Sequence, residues 1–150
     1  MHWFESQLTA LDQLAADYLN SQRQTSEDII RTSEDLRIKR RRFIDALQKL
    51  VDNIMEIKGI SACAAYHEGL VLVSSGRMPN IDALGALGAM IQESVGVARK
   101  GAAILNLGDI EQILIIGSTD KVAMLNVGPI VLCIACPKGV NLASALSRRK

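Results

Sequence analysis

The sequence predicts an α/β (α+β) fold, in which a five-stranded antiparallel sheet is sandwiched between helices and follows an N-terminal helical extension. Glycine and proline are absent before residue 59, and all 11 glycines and three prolines of the 150-residue chain follow that point. Because these residues mark turns, strands are expected only in the second part. Apolar runs and turn residues there give the order strand, strand, helix, three strands, helix.

The first part is predicted to be helical. Apolar residues spaced three or four apart define one face of a first helix, at Phe4, Leu8, Leu11, Ala15 and Tyr18. The polar stretch 20–24 is expected to break this helix. The division that follows is a helical extension over residues 1–42 and a domain over 43–150.

A seven-residue repeat opens a second predicted helix, since Thr25–Arg31 is echoed from Thr32 onward. This period places five apolar residues on one stripe, namely Ile29, Leu36, Phe43, Leu50 and Ile57. Polar residues interrupt the row of positions beside this stripe, so the pattern only resembles the apolar seam of a coiled coil. It is expected to extend an oligomer or to bind a partner. The helix is predicted to end near Gly59, where glycine can adopt the left-handed conformation.

The second part is predicted to begin with a hairpin over residues 61–66 and 70–74, turned at His67–Gly69. A central helix follows over residues 81–100. Three strands (110–117, 121–127 and 130–136) and a short helix (141–148) complete the domain. The strands are apolar on both faces, which is typical of a sheet covered by helices on each side.

Composition narrows the class of function. The formal net charge is +1, which gives no general reason to expect nucleic acid as a partner. The N-terminal residues do not resemble a secretory signal, and the longest apolar run is too short for a membrane span. Three cysteines in such a chain are expected to be reduced thiols, and the expected location is cytoplasmic.

Four stretches, in order, carry a family resemblance: Ile57–Ile60 before an acidic-Gly-Leu turn at Glu68–Leu70, the Ala/Gly/Leu-rich Leu84–Met90, Ile113–Ile116 before Val122–Val127, and Lys138–Leu142. Residues 43–147 thereby resemble the Roadblock/dynein-light-chain family, a profilin-like fold that includes bacterial regulators of Ras-like small GTPases. Ala143 stands where the family ending has a glycine. The resemblance says nothing about residues 1–42.

The resemblance implies a homodimer in which third strands pair and central helices pack antiparallel. The residues support this independently, because the third strand is a predicted sheet edge without charge or proline over its apolar part. Glycine destabilises the interior of a helix, so the glycines of the central helix suggest that a second helix approaches it closely. The predicted dimer interface consists of Gly85, Ala89, Gln92, Gly96, Ile113, Leu114 and Ile115.

The implied function is that of a non-catalytic adaptor that binds a Ras-like GTPase and changes its activity or localisation. The predicted partner-binding residues are Arg77, Asp82, Met90, Glu93, Arg99 and Lys100. Two alternatives stay open: a scaffold that recruits motility, polarity or motor partners without acting on GTP turnover, and a ligand-sensing domain.

Other chemistry is not supported. Cys133 and Cys136 have redox-like spacing but fall on a strand, where residues three apart face opposite sides. Two histidines are too few for a zinc set with these cysteines, and no phosphate-binding glycine loop is present. We therefore expect no enzyme activity, no metal and no cofactor. The basic run Lys39, Arg40, Arg41 and Arg42 is either a solvated helix face or a docking surface for an acidic protein or an anionic membrane.

Overall fold

The computed structural model describes residues 2–22, 29–76 and 81–147, with side chains described for 3–18, 34–75 and 87–146. The helices are α1 (His2–Gln22), α2 (Ile29–Met55), α3 (Ile81–Leu105) and α4 (Leu142–Ser147). The strands are β1 (Ala62–His67), β2 (Leu70–Gly76), β3 (Gln112–Ile116), β4 (Asp120–Val127) and β5 (Ile130–Pro137). The predicted order of elements is confirmed.

All five strands form one antiparallel sheet in the order β2-β1-β5-β4-β3. Strand β3 therefore lies at an edge, as predicted. The β1–β2 hairpin turns on two residues, Glu68 (φ +50°) and Gly69 (φ +80°). Positive φ at both central positions is the type I′ geometry, which matches the twist of paired strands.

Each face of the sheet carries its own apolar cluster. Helices α1, α2 and α4 cover one face, where Leu47, Ile54 and Ile134 are fully buried. Helix α3 covers the other face with a smaller cluster, in which Ile91 and Val95 pack with strand residues. The sheet is thus sandwiched between helices, which confirms the predicted fold class.

Helix α1 belongs to the main core. Its Phe4, Leu11 and Ala15 are buried in the same cluster as the sheet. The helix runs antiparallel to α2: Tyr18 stacks on Phe43 with ring centroids 5.8 Å apart, and the Asn53 side-chain amide donates a hydrogen bond to Gln7 Oε1 at 3.0 Å. An amphipathic α1 therefore buries its apolar face within its own chain.

This packing corrects the prediction that the stripe 29-36-43-50-57 extends an oligomer. Phe43 and Leu50 are buried in the core of the single chain, and Ile57 packs against the same cluster. These three positions are occupied by contacts with α1 and the sheet. Of the remaining two, Leu36 is half-buried and the side chain of Ile29 lies outside the described residues.

Three helix ends differ from their predicted positions. Helix α1 continues to Gln22, through most of the polar stretch that was expected to break it. Helix α2 ends at Met55, and a turn leads to Gly59, which has the expected positive φ of +101°. Helix α3 continues to Leu105 instead of ending near residue 100, because Gly101 stays helical and strong helix formers follow it. Asn106 (φ +56°) ends α3, and the Leu107 N–H bonds to the carbonyl of Ala102 at 2.9 Å.

Candidate interaction surfaces

The free edge of β3 is the first candidate surface. Strand β3 pairs with β4 on one side and with no described strand on the other. Leu114, Ile115 and Ile116 are 45 to 55 % exposed, and the strand carries no charged residue. Natural proteins usually protect a free edge with charge, proline or a covering element. An apolar edge of this kind is suited to pairing with another strand.

The second surface is an apolar ridge on α3, formed by Met90, Val97 and Ile104. These residues follow each other at intervals of seven and are 63 to 80 % exposed. Leu105 and Leu107, beside the end of the helix, are also exposed. Ile104, Leu105 and Leu107 were not predicted as surface residues, because the predicted helix ends at residue 100. The spacing 90-97-104 was the signal that could have found the ridge.

The predicted small-residue stripe lies on a different side of α3 from this ridge. At 100° per residue, Gln92 and Gly96 are about 100° or more away from the ridge axis, and Ala89 is about 80° away. Ala89 and Gln92 are exposed, and a Cβ placed on Gly96 would meet nothing within 4 Å. The backbone of Gly85 lies in α3, but its surroundings are outside the described residues. The role of this stripe in a dimer stays a prediction.

Gly88, by contrast, has a packing reason within the chain. A Cβ on Gly88 would collide with the carbonyl oxygen of Gly69 in the β1–β2 turn and would lie 3.2 Å from Cδ1 of Tyr66. Glycine lets α3 approach the turn backbone closely. This contact accounts for one helical glycine without a second helix.

The predicted partner-binding residues are scattered along α3. Met90 belongs to the ridge, and the exposed Glu93 and Lys100 lie beside it at spacings of three and four residues, whereas the exposed Arg99 lies on another side of the helix. Two further predicted residues have no described side chain: Arg77 lies outside the described residues, and so does the side chain of Asp82. The structure therefore brings no compact charged site together from this set.

A solvent-open cavity of about 820 Å³ lies between the end of α3, the loop that follows it and the β4–β5 turn. Arg99, Asn106, Asp109 and Glu111 provide most of its polar lining. The Asn126 side-chain amide donates to the Ile110 carbonyl at 2.7 Å and holds the loop in place. The cavity combines one guanidinium with two carboxylates and has no nucleophile paired with a base, so the arrangement offers polar contacts and not a catalytic set.

The three cysteines are buried free thiols. Cys133 packs in the cluster beneath α3 and Cys136 in the cluster on the other face, as the strand alternation predicted. Burial raises the pKa of Cys133 to about 12. Burial, with a smaller contribution from Cys133, also raises the pKa of Cys63, and burial raises that of Cys136. These environments disfavour the thiolate that redox chemistry requires.

The basic run lies on an exposed part of α2. Lys39, Arg40, Arg41 and Arg42 directly precede Phe43, the first buried residue of the described part of that helix. Within the described ranges, no cluster of three or more His, Cys, Asp or Glu side chains could hold a metal ion. The same ranges contain no helix with the length and apolar character needed to cross a bilayer.

Comparison with known proteins identifies the fold. No family model and no curated protein matches the sequence. Among solved structures, MglB of Myxococcus xanthus is similar at a TM-score of 0.63 and 18 % identity, over 70 % of this chain and 80 % of that chain. The gliding protein MglB of Thermus thermophilus gives 0.58 at 13 % identity, over 66 % and 76 %. A Roadblock/LC7 domain of Streptomyces avermitilis gives 0.56 at 14 % identity, over 63 % and 79 %. The chain has the Roadblock fold, which confirms the resemblance found in the sequence at the level of fold.

Proposed function

We propose that this chain is a non-catalytic homodimeric adaptor that binds a Ras-like small GTPase and modulates its activity or localisation. The observation that carries the proposal is the joint exposure, in a single chain, of the β3 edge and the α3 ridge. Each would be an aggregation hazard if it stayed uncovered. In the dimer that the resemblance implies, a second copy would cover the β3 edge by strand pairing and part of the exposed surface of α3 by helix packing.

The composition of β3 favours pairing with its own copy. In an antiparallel pair centred on Leu114, Gln112 lies opposite Ile116 of the second copy, and Ile113 lies opposite Ile115. Every cross-strand pair is then free of like-charge repulsion, which would oppose assembly. The sheet becomes continuous across the two chains.

Substitution at the centre of this edge tests the dimer. Leu114→Lys places two ammonium groups opposite each other, whereas Ser118→Lys adds the same charge in the exposed turn beyond the strand. We expect light scattering to give half the wild-type mass for Leu114→Lys and the wild-type mass for Ser118→Lys. Equal masses for all three proteins would rule out the β3 edge as the dimer contact.

The surface for the GTPase is proposed to include the exposed charges of α3, since interfaces typically place polar residues around an apolar centre. The test incubates the chain with each Ras-like GTPase of the same genome, loaded with GDP or with a GTP analogue. We expect one of them to bind at micromolar concentration and to change its hydrolysis or exchange rate. Arg99→Ala combined with Lys100→Ala should weaken that binding, with Lys49→Ala on the opposite side of the sheet as the control. Absence of binding by every such GTPase would refute the proposal.

A scaffold in motility is the second candidate, because one structural neighbour is described as a gliding protein. A scaffold would bind its partners while leaving GTP turnover unchanged. A hydrolysis assay with and without the chain therefore distinguishes the two functions.

A further inference from the structure

The outward face of α2 carries a charge pattern that none of the surfaces above explains. Phe43 and Leu47 are buried on the inward side of this helix, toward α1 and the sheet. Glu34, Asp35, Ile38, Arg41 and Arg42 are all exposed. Spacings of three and four residues place these five on one side of the helix. We call them the α2 face.

Charge changes sign along the α2 face. Two carboxylates lie one turn before Ile38, and two guanidinium groups lie one turn after it. Ile38 itself is 47 % exposed, although it is a large apolar side chain. All four charged side chains are exposed. The face therefore has an antisymmetric charge pattern around one apolar residue.

Such a pattern is complementary to itself. When two copies of the helix meet antiparallel with Ile38 at the two-fold axis, residues at equal distance before and after it come to the same height. Residues on the same flank of the two helices come closest, so Glu34 lies beside Arg41 of the second copy and Asp35 beside Arg42 of the second copy, with an offset of one residue in height. The two-fold repeats both pairs, which gives four oppositely charged pairs around an Ile38–Ile38 contact.

We propose that the α2 face is a second self-association surface, at which two copies of this chain pair antiparallel about Ile38. The contact is separate from the β3 edge, so the two surfaces together join dimers into larger assemblies. Its orientation is set by charge, since a parallel arrangement would place carboxylates beside carboxylates.

An anionic partner fits this face less well than a second copy does. Residues 37–42 contain five cations, but only Arg41 and Arg42 are three or four residues from Ile38, as Glu34 and Asp35 are. The formal charge of the α2 face is therefore zero. A phosphate-rich membrane or an acidic protein would face the two carboxylates with like charge, whereas a second copy places all four charged residues beside opposite charges.

Charge reversal provides a direct test. One variant combines Glu34→Arg with Asp35→Arg, and a second combines Arg41→Glu with Arg42→Glu. Each variant alone places like charges together at the two-fold, whereas a one-to-one mixture restores all four pairs. A third variant carries all four substitutions and again pairs with itself. All positions are exposed and receive good helix formers, so circular dichroism should show unchanged helix content.

Light scattering at tens of micromolar protein gives the result. In salt of about 0.1 M we expect the mass of a dimer for each of the first two variants, and the larger wild-type mass for their mixture and for the fourfold variant. Adding Leu114→Lys to either of the first two variants should give monomers. The proposal is overturned if the wild type has the same mass as the first two variants, or if their mixture keeps the mass of a dimer. Retention of mass by Leu114→Lys would count against the β3 dimer alone.

Discussion

Replacing Gly88 with alanine tests the contact that fixes α3 on the β1–β2 turn. The new Cβ would collide with the Gly69 carbonyl oxygen and lie 2.9 Å from the carbonyl carbon of that residue. This obstacle is the backbone of a two-residue turn and cannot rotate away as a flexible side chain could. Overpacking typically costs about 1–3 kcal/mol, and a collision with backbone is expected in the upper part of this range, at about 2–3 kcal/mol. The better helix propensity of alanine offsets about 1 kcal/mol of that cost.

The expected net effect is a loss of about 1–2 kcal/mol in the free energy of unfolding. For a chain of this size, that loss lowers Tm by about 2–8 °C. Urea unfolding, followed by circular dichroism, measures the free energy. The matched control is Gly96→Ala in the same helix, because a Cβ there meets nothing within 4 Å. We expect the control to be more stable than the wild type by about 0.4–1 kcal/mol.

The opposite signs of these two effects are the critical outcome. If Gly88→Ala is as stable as Gly96→Ala, the close approach of α3 to the turn does not exist. Gly96→Ala also bears on the predicted dimer stripe. A second helix packed against Gly96 would make this variant lose mass in light scattering even though its single chain is stabilised.

Three further predictions concern the two cores. Leu50→Ala should lose about 2–5 kcal/mol in urea unfolding because Leu50 is buried against α1 and the sheet, whereas its exposed neighbour Lys49→Ala should change stability by less than about 0.5 kcal/mol. Tyr66→Phe should be as stable as the wild type or more stable, since the buried Tyr66 hydroxyl makes no hydrogen bond to a described residue; a marked loss would reveal a partner for it. Burial raises the pKa of Cys133 from 9.0 to about 12, so the unfolded thiol releases its proton first and stability should fall as pH rises from about 9 to about 12. Cys133→Ala should make the decline of stability with pH shallower in unfolding curves measured across this range. An unchanged decline would contradict the raised pKa of Cys133 in the folded chain.

Local patterns were sufficient to predict most of the architecture. The acidic-Gly-Leu turn predicted the β1–β2 hairpin, and uncharged apolar residues predicted β3. The alternation of β5 correctly placed Cys133 and Cys136 on opposite faces. Each of these features depends on neighbours within a few residues, so the sequence contains the information directly.

Features that depend on distant contacts were not predictable in the same way. The heptad stripe identified an apolar seam, but the sequence does not specify that α1 and the sheet cover Phe43 and Leu50. Glycine at position 88 suggested a close neighbour, yet that neighbour is Gly69, which belongs to a different element. The predicted central helix was too short because Lys100-Gly101 resembles a helix end, whereas Asn106 provides the actual one.

The hydrogen bond between Trp3 and Leu146 has a consequence for the path of the chain. The indole N–H of Trp3 donates to the Leu146 carbonyl at 2.8 Å, although the two residues are 143 positions apart. Residues 3 and 146 therefore lie next to each other in the fold. The packing would be preserved if these two regions were joined and the chain were opened in a loop elsewhere. We expect a circular permutant, joined by a short flexible linker and opened between Gly108 and Asp109, to unfold cooperatively with a similar Tm; a molten product would show that this cut matters. In the permuted chain β3 would be the first strand in sequence order. The edge strand of the sheet would then be the first part of the domain to leave the ribosome.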